Sequence, residues 1–303
     1  PRRRLCLTAE QMLDFQRRLF KKAYGGILHS LIFWGFCVLS IANATLILRG
    51  LFGHEFNLLP FLAEDYRVGQ AYTLVKEFFQ VMVLVGVTMA LYRRLILKPR
   101  FPEPSKEALI ILTVIGALML VEMIWGAAHV AALQQSGIQD PGILSSHPVS
   151  HLLSLPFMGM SPEALSWVQA GSWYINLILV LGFGSYLPYS KHFHIITSLP
   201  NVYLQKKRPY GALTKPDLEK EEFGTSTMEG FTWKNFFDWY SCTECGRCTA
   251  QCPAFASGKP LHPKMITEQL PKDELIGELV RNQLIYYPTV TREPFRNRGR
   301  ITD

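Results

Sequence analysis

Residues 29–48 read HSLIFWGFCVLSIANATLIL, twenty positions without one Asp, Glu, Lys or Arg. As a helix rising 1.5 Å per residue, such a stretch covers the hydrocarbon core of a bilayer, which takes roughly 20 apolar residues. It predicts a first spanning helix from about Gly25 to Leu48. Three similar runs follow, from about Gln70 to Leu97, Lys106 to Leu133 and Pro162 to Tyr189. The connection after the first run holds His54, Glu55, Glu64, Asp65 and Arg67, and the turn FPEPS at 101–105 joins the second to the third. A longer loop with His147 and His151 leads to the fourth. The predicted fold is all-α: a transmembrane four-helix bundle followed by a small α-helical, ferredoxin-like iron–sulfur domain.

The basic residues set the orientation. Arg17 to Lys22 precede the first run, Arg93 to Arg100 join the second to the third, and Lys206, Lys207 and Arg208 follow the fourth. The other two connections carry only Arg49 and Arg67. Cytoplasmic loops collect Lys and Arg, so both ends of the bundle sequence and its middle turn are expected in the cytoplasm. The chain has 303 residues, 49% of them hydrophobic, and a net charge of +7. That charge sits in short clusters beside apolar runs rather than on one basic and aromatic face, which argues for a lipid bilayer as partner and against nucleic acid. The expected organisation is an amphipathic cytoplasmic segment over 1–24, a transmembrane domain over 25–200, a linker over 201–230 and a cytoplasmic cysteine domain over 231–303.

Of the six cysteines, four fall in CTECGRCTAQCP, residues 242–253. The spacing C-x2-C-x2-C-x3-C-P is the bacterial ferredoxin run, and it predicts a [4Fe–4S] cluster on Cys242, Cys245, Cys248 and Cys252. Structural zinc favours separated ligand pairs and has no use for the terminal Cys-Pro. In two-cluster ferredoxins the fourth cysteine of each run ligates the other cluster. Either all four therefore hold one cluster, or Cys252 awaits a second run beyond Asp303; the latter is preferred, since the sequence both begins and ends abruptly. Cys6 and Cys37 read as packing residues, not ligands.

Ionisable groups inside apolar spans are costly and usually functional. The candidates are His29, Glu122, His129, His192 and His194. His29 lies about one turn inside the first helix and His194 just past the fourth, on the cytoplasmic side by the orientation above. Two histidines from different helices at one depth can supply both axial ligands of a haem b; the competing reading is satisfied polar packing. His192 lies two residues from His194 and so on another face. His54, His147, His151 and His262 read as satisfied polar residues. Glu122 and His129 are seven apart on the third helix, hence on one face, with Trp125 between them. They read either as a proton-handling quinone site or as a polar contact between helices. Arg93, Arg94 and Lys191 are placed to pair with haem propionates or with lipid phosphates.

GFGSYLPY followed by SKHFHIITSLPNVYL, residues 182–204, resembles the last helix of the gamma subunit of respiratory nitrate reductases, and HSLIFWGF resembles that family's second helix. Together with CTECGRCTAQCP, the chain resembles membrane proteins that fuse this haem domain to a heterodisulfide-reductase-like iron–sulfur domain, of the electron-transfer-flavoprotein:menaquinone oxidoreductase type. The resemblance implies five helices, one of them upstream of Pro1, and a second cysteine run beyond Asp303. It matches His29 and His194 to the haem pair nearest the iron–sulfur domain. Where diheme members carry a second pair, this chain has Leu39 and Asn176, so one haem b is expected. It further implies electron-transfer flavoprotein as soluble donor, menaquinone as acceptor and a cell membrane as location. The alternatives are a dithiol/disulfide:quinone oxidoreductase subunit and a haem-free anchor for an iron–sulfur subunit.

Overall fold

A computed structural model describes residues 4–11, 20, 23–53, 56, 58–98, 105–137, 141–205, 231–243, 245–258 and 263–264. Most of the amphipathic lead-in, His54, Glu55, Arg100, the turn at 101–104, Lys206 to Arg208, the charged linker, His262, the expected helix around 273–282 and the Arg-rich tail lie outside these residues. The described residues form helices and turns, with no strand among them. The chain forms two compact units, Pro1–His192 and Phe193–Asp303.

In the first unit a short helix at residues 4–11 (α1) precedes four helices long and apolar enough to cross a membrane. These are α2 (Ala23–Phe52), α3 (Arg67–Tyr92), α4 (Lys106–Gln135) and α7 (Pro162–Tyr186). The helix α2 outruns its expected span at both ends and stops at Gly53, whose φ of +102° suits glycine. Arg93–Leu97 continue α3 as one π-helical stretch, closed by Lys98 at φ +41°. Between α4 and α7 lie two short helices, α5 (Pro141–Ser146) and α6 (Pro148–Ser154). Ser161 caps α7, its hydroxyl accepting from the Ala164 N–H, with Pro162 at the first helical position.

The helices pack in the order α2, α3, α4, α7. Gly35 of α2 lies so close to Val83 of α3 that a Cβ there would collide with the valine. Small residues admit close crossings of this kind, which dispersion stabilises where lipid supplies no hydrophobic drive. The core combines Leu39, Val83, Val87, Leu112, Leu118 and Met119, with a second cluster of Ala128, Ala131 and Leu165. Trp34, Phe36, Phe78, Leu120 and Ile178 face outward. In water such a surface would be an aggregation liability, whereas in hydrocarbon it needs no cover. Cys37 is exposed on α2 and Cys6 is exposed on α1, so neither packs inside the unit as expected.

The second unit contains α8 (His194–Tyr203), α9 (Trp233–Tyr240), α10 (Arg247–Ala250) and α11 (Pro253–Ala256). The helix α9 opens on a capping box, Thr232 with Asn235, and packs on α8. Its Lys234, buried, donates to Asn201 of α8 and to Asp238 one turn on.

Candidate functional site

The cysteine run begins where α9 ends. The Cys242 N–H donates to the Trp239 carbonyl at 3.0 Å, and the Trp239 ring stacks edge-on with Phe231 and Phe236, so the aromatic lead-in anchors the first thiol. Gly246, at φ +70°, reverses the chain between Cys245 and Cys248, a backbone state that glycine adopts without strain. Cys248 lies in α10, and Cys252 caps α11 ahead of Pro253. Cys245 and Cys248 are exposed, Cys242 and Cys252 half-buried, and none is in a disulfide. Among the described residues no three His, Cys, Asp or Glu side chains converge tightly enough to hold a metal ion. What fits a cluster is the donor chemistry: four cysteines within eleven residues, none in a disulfide, on short turns that leave two of them open to solvent.

A second constellation occupies the end of the first unit where α3 starts and α4 finishes. Glu64, in the loop before α3, faces two imidazoles: its Oε2 lies 3.5 Å from His129 Nε2 and its Oε1 lies 3.5 Å from His147 Nε2. Trp125 stacks on His129, with centroids 5.0 Å apart and planes 9° from parallel. Burial alone would raise the Glu64 pKa, but hydrogen bonds from His129 and His147 outweigh it and hold the carboxyl well below the usual carboxylate range. Burial alone would lower the His147 pKa; the hydrogen bond to Glu64, with the Ile143 carbonyl and the Glu64 charge, raises it above its ordinary 6.5.

Two neighbouring contacts hold this arrangement. Glu77 of α3 is 2% exposed and accepts from the Val149 N–H at 2.8 Å, the Ser150 N–H at 3.3 Å and the Ser150 hydroxyl. These donors belong to the first turn of α6, whose own N-cap, His147, makes no side-chain capping bond. Glu77 thus caps α6 from another helix. Ser150 in turn lies against Gly126 of α4, where a Cβ would strike its hydroxyl. Two turns inward from His129 along the same face, Glu122 pairs with Lys76 of α3 at 3.3 Å.

The sequence-derived pair Glu122 and His129 is therefore placed on one face of α4, each with its own partner, Lys76 and Glu64. The sequence reading assigns no role to Glu64, Lys76 or Glu77 and takes His147 as a satisfied polar residue. An ionisable residue inside an apolar run was the available signal for Lys76 and Glu77. His29 is half-buried near the start of α2, its ring 6.1 Å from Phe33, while His194 opens α8 in the second unit. His192 meets the Phe183 ring edge-on at 6.0 Å. Arg93 lies 5.8 Å over the Tyr24 ring; it and Arg94 begin the π-helical stretch, and the Lys191 N–H donates to the Glu107 carboxylate. Leu39 is in the apolar core and Asn176 is buried on α7.

No protein-family model and no solved structure matches the chain. Among curated proteins it is 31% identical over 252 residues to the "Probable iron-sulfur-binding oxidoreductase FadF" of Bacillus subtilis, covering 82% of this chain and 34% of that protein. It is 27% identical over 265 residues to the "EtfAB:quinone oxidoreductase" of Syntrophomonas wolfei, covering 86% of this chain and 36% of that protein. A shorter stretch is 60% identical over 42 residues to the "Ferredoxin--NADP reductase" of Azotobacter vinelandii, 14% of this chain and 16% of that enzyme, too little to bring the reductase's activity with it. The chain spans about a third of the length of the first two relatives. Over most of its own length it is thus similar to named iron–sulfur and quinone oxidoreductases.

Proposed function

We propose that the chain is the membrane-spanning and first iron–sulfur portion of a quinone-linked oxidoreductase, passing electrons between a soluble flavoprotein donor and menaquinone. The observation that carries this reading is the union, in one chain, of the ferredoxin cysteine run with four apolar spans, in a sequence similar over 86% of its length to a protein named for EtfAB and quinone. The basic residues Arg93, Arg94 and Lys98 at the α3 end support a cytoplasmic position for that end of the bundle and for the cysteine run.

Cys242, Cys245, Cys248 and Cys252 would hold a [4Fe–4S] cluster, with Cys252 free to serve a second cluster if another run follows. His29 and His194 would be the axial ligands of one haem b, and Arg93, Arg94 and Lys191 would offset the charge of its propionates. The residue types suit the group: two imidazoles that can ligate iron and three cations that can offset carboxylate charge. Bound, the two groups supply one-electron exchange. Leu39 lies in the apolar core where a second haem would need a ligand, which supports one haem and not two. Glu122 and His129 would exchange protons with the quinone at the other end of the bundle.

The test is the optical spectrum of the purified full-length protein. A b-type band of one haem per chain, lost on replacing His29 or His194 and kept on replacing His192, is expected. A folded preparation without haem would replace this reading with the haem-free anchor. Retention of the band in both ligand variants would refute the assignment of His29 and His194.

A further inference from the structure

We propose that Glu64, set between His129 and His147, is the proton-exchange group of the quinone site, linking water at the α3-start end of the bundle to His129 and Glu122. The proposal rests on the reading of Glu122 and His129 as groups that serve a quinone.

Three observations carry it. The two oxygens of one carboxylate face two different imidazoles, each at 3.5 Å, contributed by α4 and by the residue before α6. Such a carboxylate can pass a proton from one ring to the other with little movement of heavy atoms.

The hydrogen bonds around His147 then fix where a proton resides. The Ser146 hydroxyl donates to the Ile143 carbonyl at 2.7 Å, and His147 Nδ1 also approaches that carbonyl, at 3.0 Å. A carbonyl only accepts, so this contact is a hydrogen bond in the tautomer with the hydrogen on Nδ1, which there also faces the Ser146 hydroxyl oxygen at 3.1 Å. Nε2, facing the Glu64 carboxylate, is a donor only if the ring is the imidazolium. The network therefore favours a stored proton at His147, and the upward displacement of its pKa agrees.

The third observation is the gradient of exposure. Side-chain exposure falls from 34% at Glu64 to 25% at His129 and 11% at Glu122. Exposure thus falls along the line from Glu64 in the loop to Glu122 inside the span. His129 and Glu122 are seven residues, hence about 10 Å, apart along α4, with Trp125 between them. The other charged groups facing the line are Lys76, paired with Glu122, and Glu77, engaged with the first turn of α6.

In the step proposed, a quinone gains two electrons from the flavoprotein donor through the iron–sulfur portion and two protons, one on each carbonyl oxygen, which becomes a hydroxyl. His129 gives a proton and regains it from Glu64, which His147 and water recharge. Glu64 and His147 are positioning and relay residues; they do not touch the quinone.

The experiment uses the full-length protein in liposomes, reduced by its flavoprotein donor, with a water-soluble naphthoquinone as acceptor and rates followed across pH in water and deuterium oxide. Glu64→Gln and His147→Gln are expected to slow turnover by at least about tenfold at neutral pH. They should leave KM and the iron–sulfur EPR signal unchanged, enlarge the solvent isotope effect, and recover rate on addition of free imidazole. Wild-type rates with an unchanged pH profile in both variants would overturn the relay while leaving quinone reduction standing. A slowed rate that imidazole does not restore, with KM raised, would assign the cluster a structural role only and equally overturn it. Wild-type protein that reduces no naphthoquinone would overturn both the relay and the function beneath it.

Discussion

Replacing Glu77 by Ala removes the acceptor of three donors at once, the N–H groups of Val149 and Ser150 and the Ser150 hydroxyl. A hydrogen bond to a charged acceptor contributes about 1.5–3 kcal/mol, and a buried donor left unpaired costs about 1–3 kcal/mol. The two backbone donors are in the first turn of α6, where no intrahelical carbonyl can take them. The Ser150 hydroxyl can turn elsewhere and contributes less. Glu77→Ala is therefore expected to cost about 3–5 kcal/mol, the range seen when one partner of a buried charged contact is removed. Glu77→Gln keeps one acceptor oxygen in place and should cost about half as much. The assay is equilibrium unfolding by sodium dodecyl sulfate in mixed micelles, followed by far-ultraviolet circular dichroism, with all three proteins compared at one micelle composition. Because His147 sits at the N-cap position of the helix start that Glu77 holds, the alanine variant should also weaken the Glu64–His147 contact. A Glu77→Ala protein within about 1 kcal/mol of wild type, or an order of effects with Gln worse than Ala, would refute the capping role.

The Glu64–His147 contact makes stability depend on pH in a stated direction. The His147 pKa is raised on folding, so its contribution is fully present below the ordinary value of 6.5 and is lost as pH rises through the folded value. The Glu64 pKa is depressed, so its contribution is present above the ordinary 4.5 and is lost as pH falls below that. Stability should thus be greatest between about 4.5 and 6.5, and His147→Gln should flatten the alkaline limb; an unchanged limb would contradict the pairing. At the α2–α3 crossing, Gly35→Val should cost about 1–3 kcal/mol by forcing the helices apart, and Val83→Ala in the same protein should recover part of the loss. Additive effects in that double-mutant cycle would show that the two positions do not meet.

The four spans were legible because each is a run of apolar residues of bilayer length, and α3, α4 and α7 begin within a few residues of where composition places them. The extra turns of α2 were not, since nothing before Gly53 stops the helix even though Arg49 ends the apolar run. The short helices α5 and α6 escaped because six or seven residues carry too little periodicity to declare a helix; Pro141 and Pro148 at their first positions were the only signal. The cysteine run was legible from spacing alone. The Glu64, His129 and His147 constellation was not, because its members are 65 and 83 positions apart and their meeting depends on how α4 and α6 pack on α3. The reading of His147 as a satisfied polar residue captured its burial and its carbonyl bond, but a single sequence gave no means of finding the carboxylate opposite it.

The central claim is that electrons leave a cluster held by the cysteine run for a membrane quinone. The most direct measurement is low-temperature EPR of the full-length protein, reduced in liposomes and then mixed with a water-soluble naphthoquinone. The account predicts a reduced [4Fe–4S] signal that disappears on mixing in the wild type and is absent, or altered in form, in Cys248→Ser. A signal that persists undiminished in the presence of the quinone would contradict it.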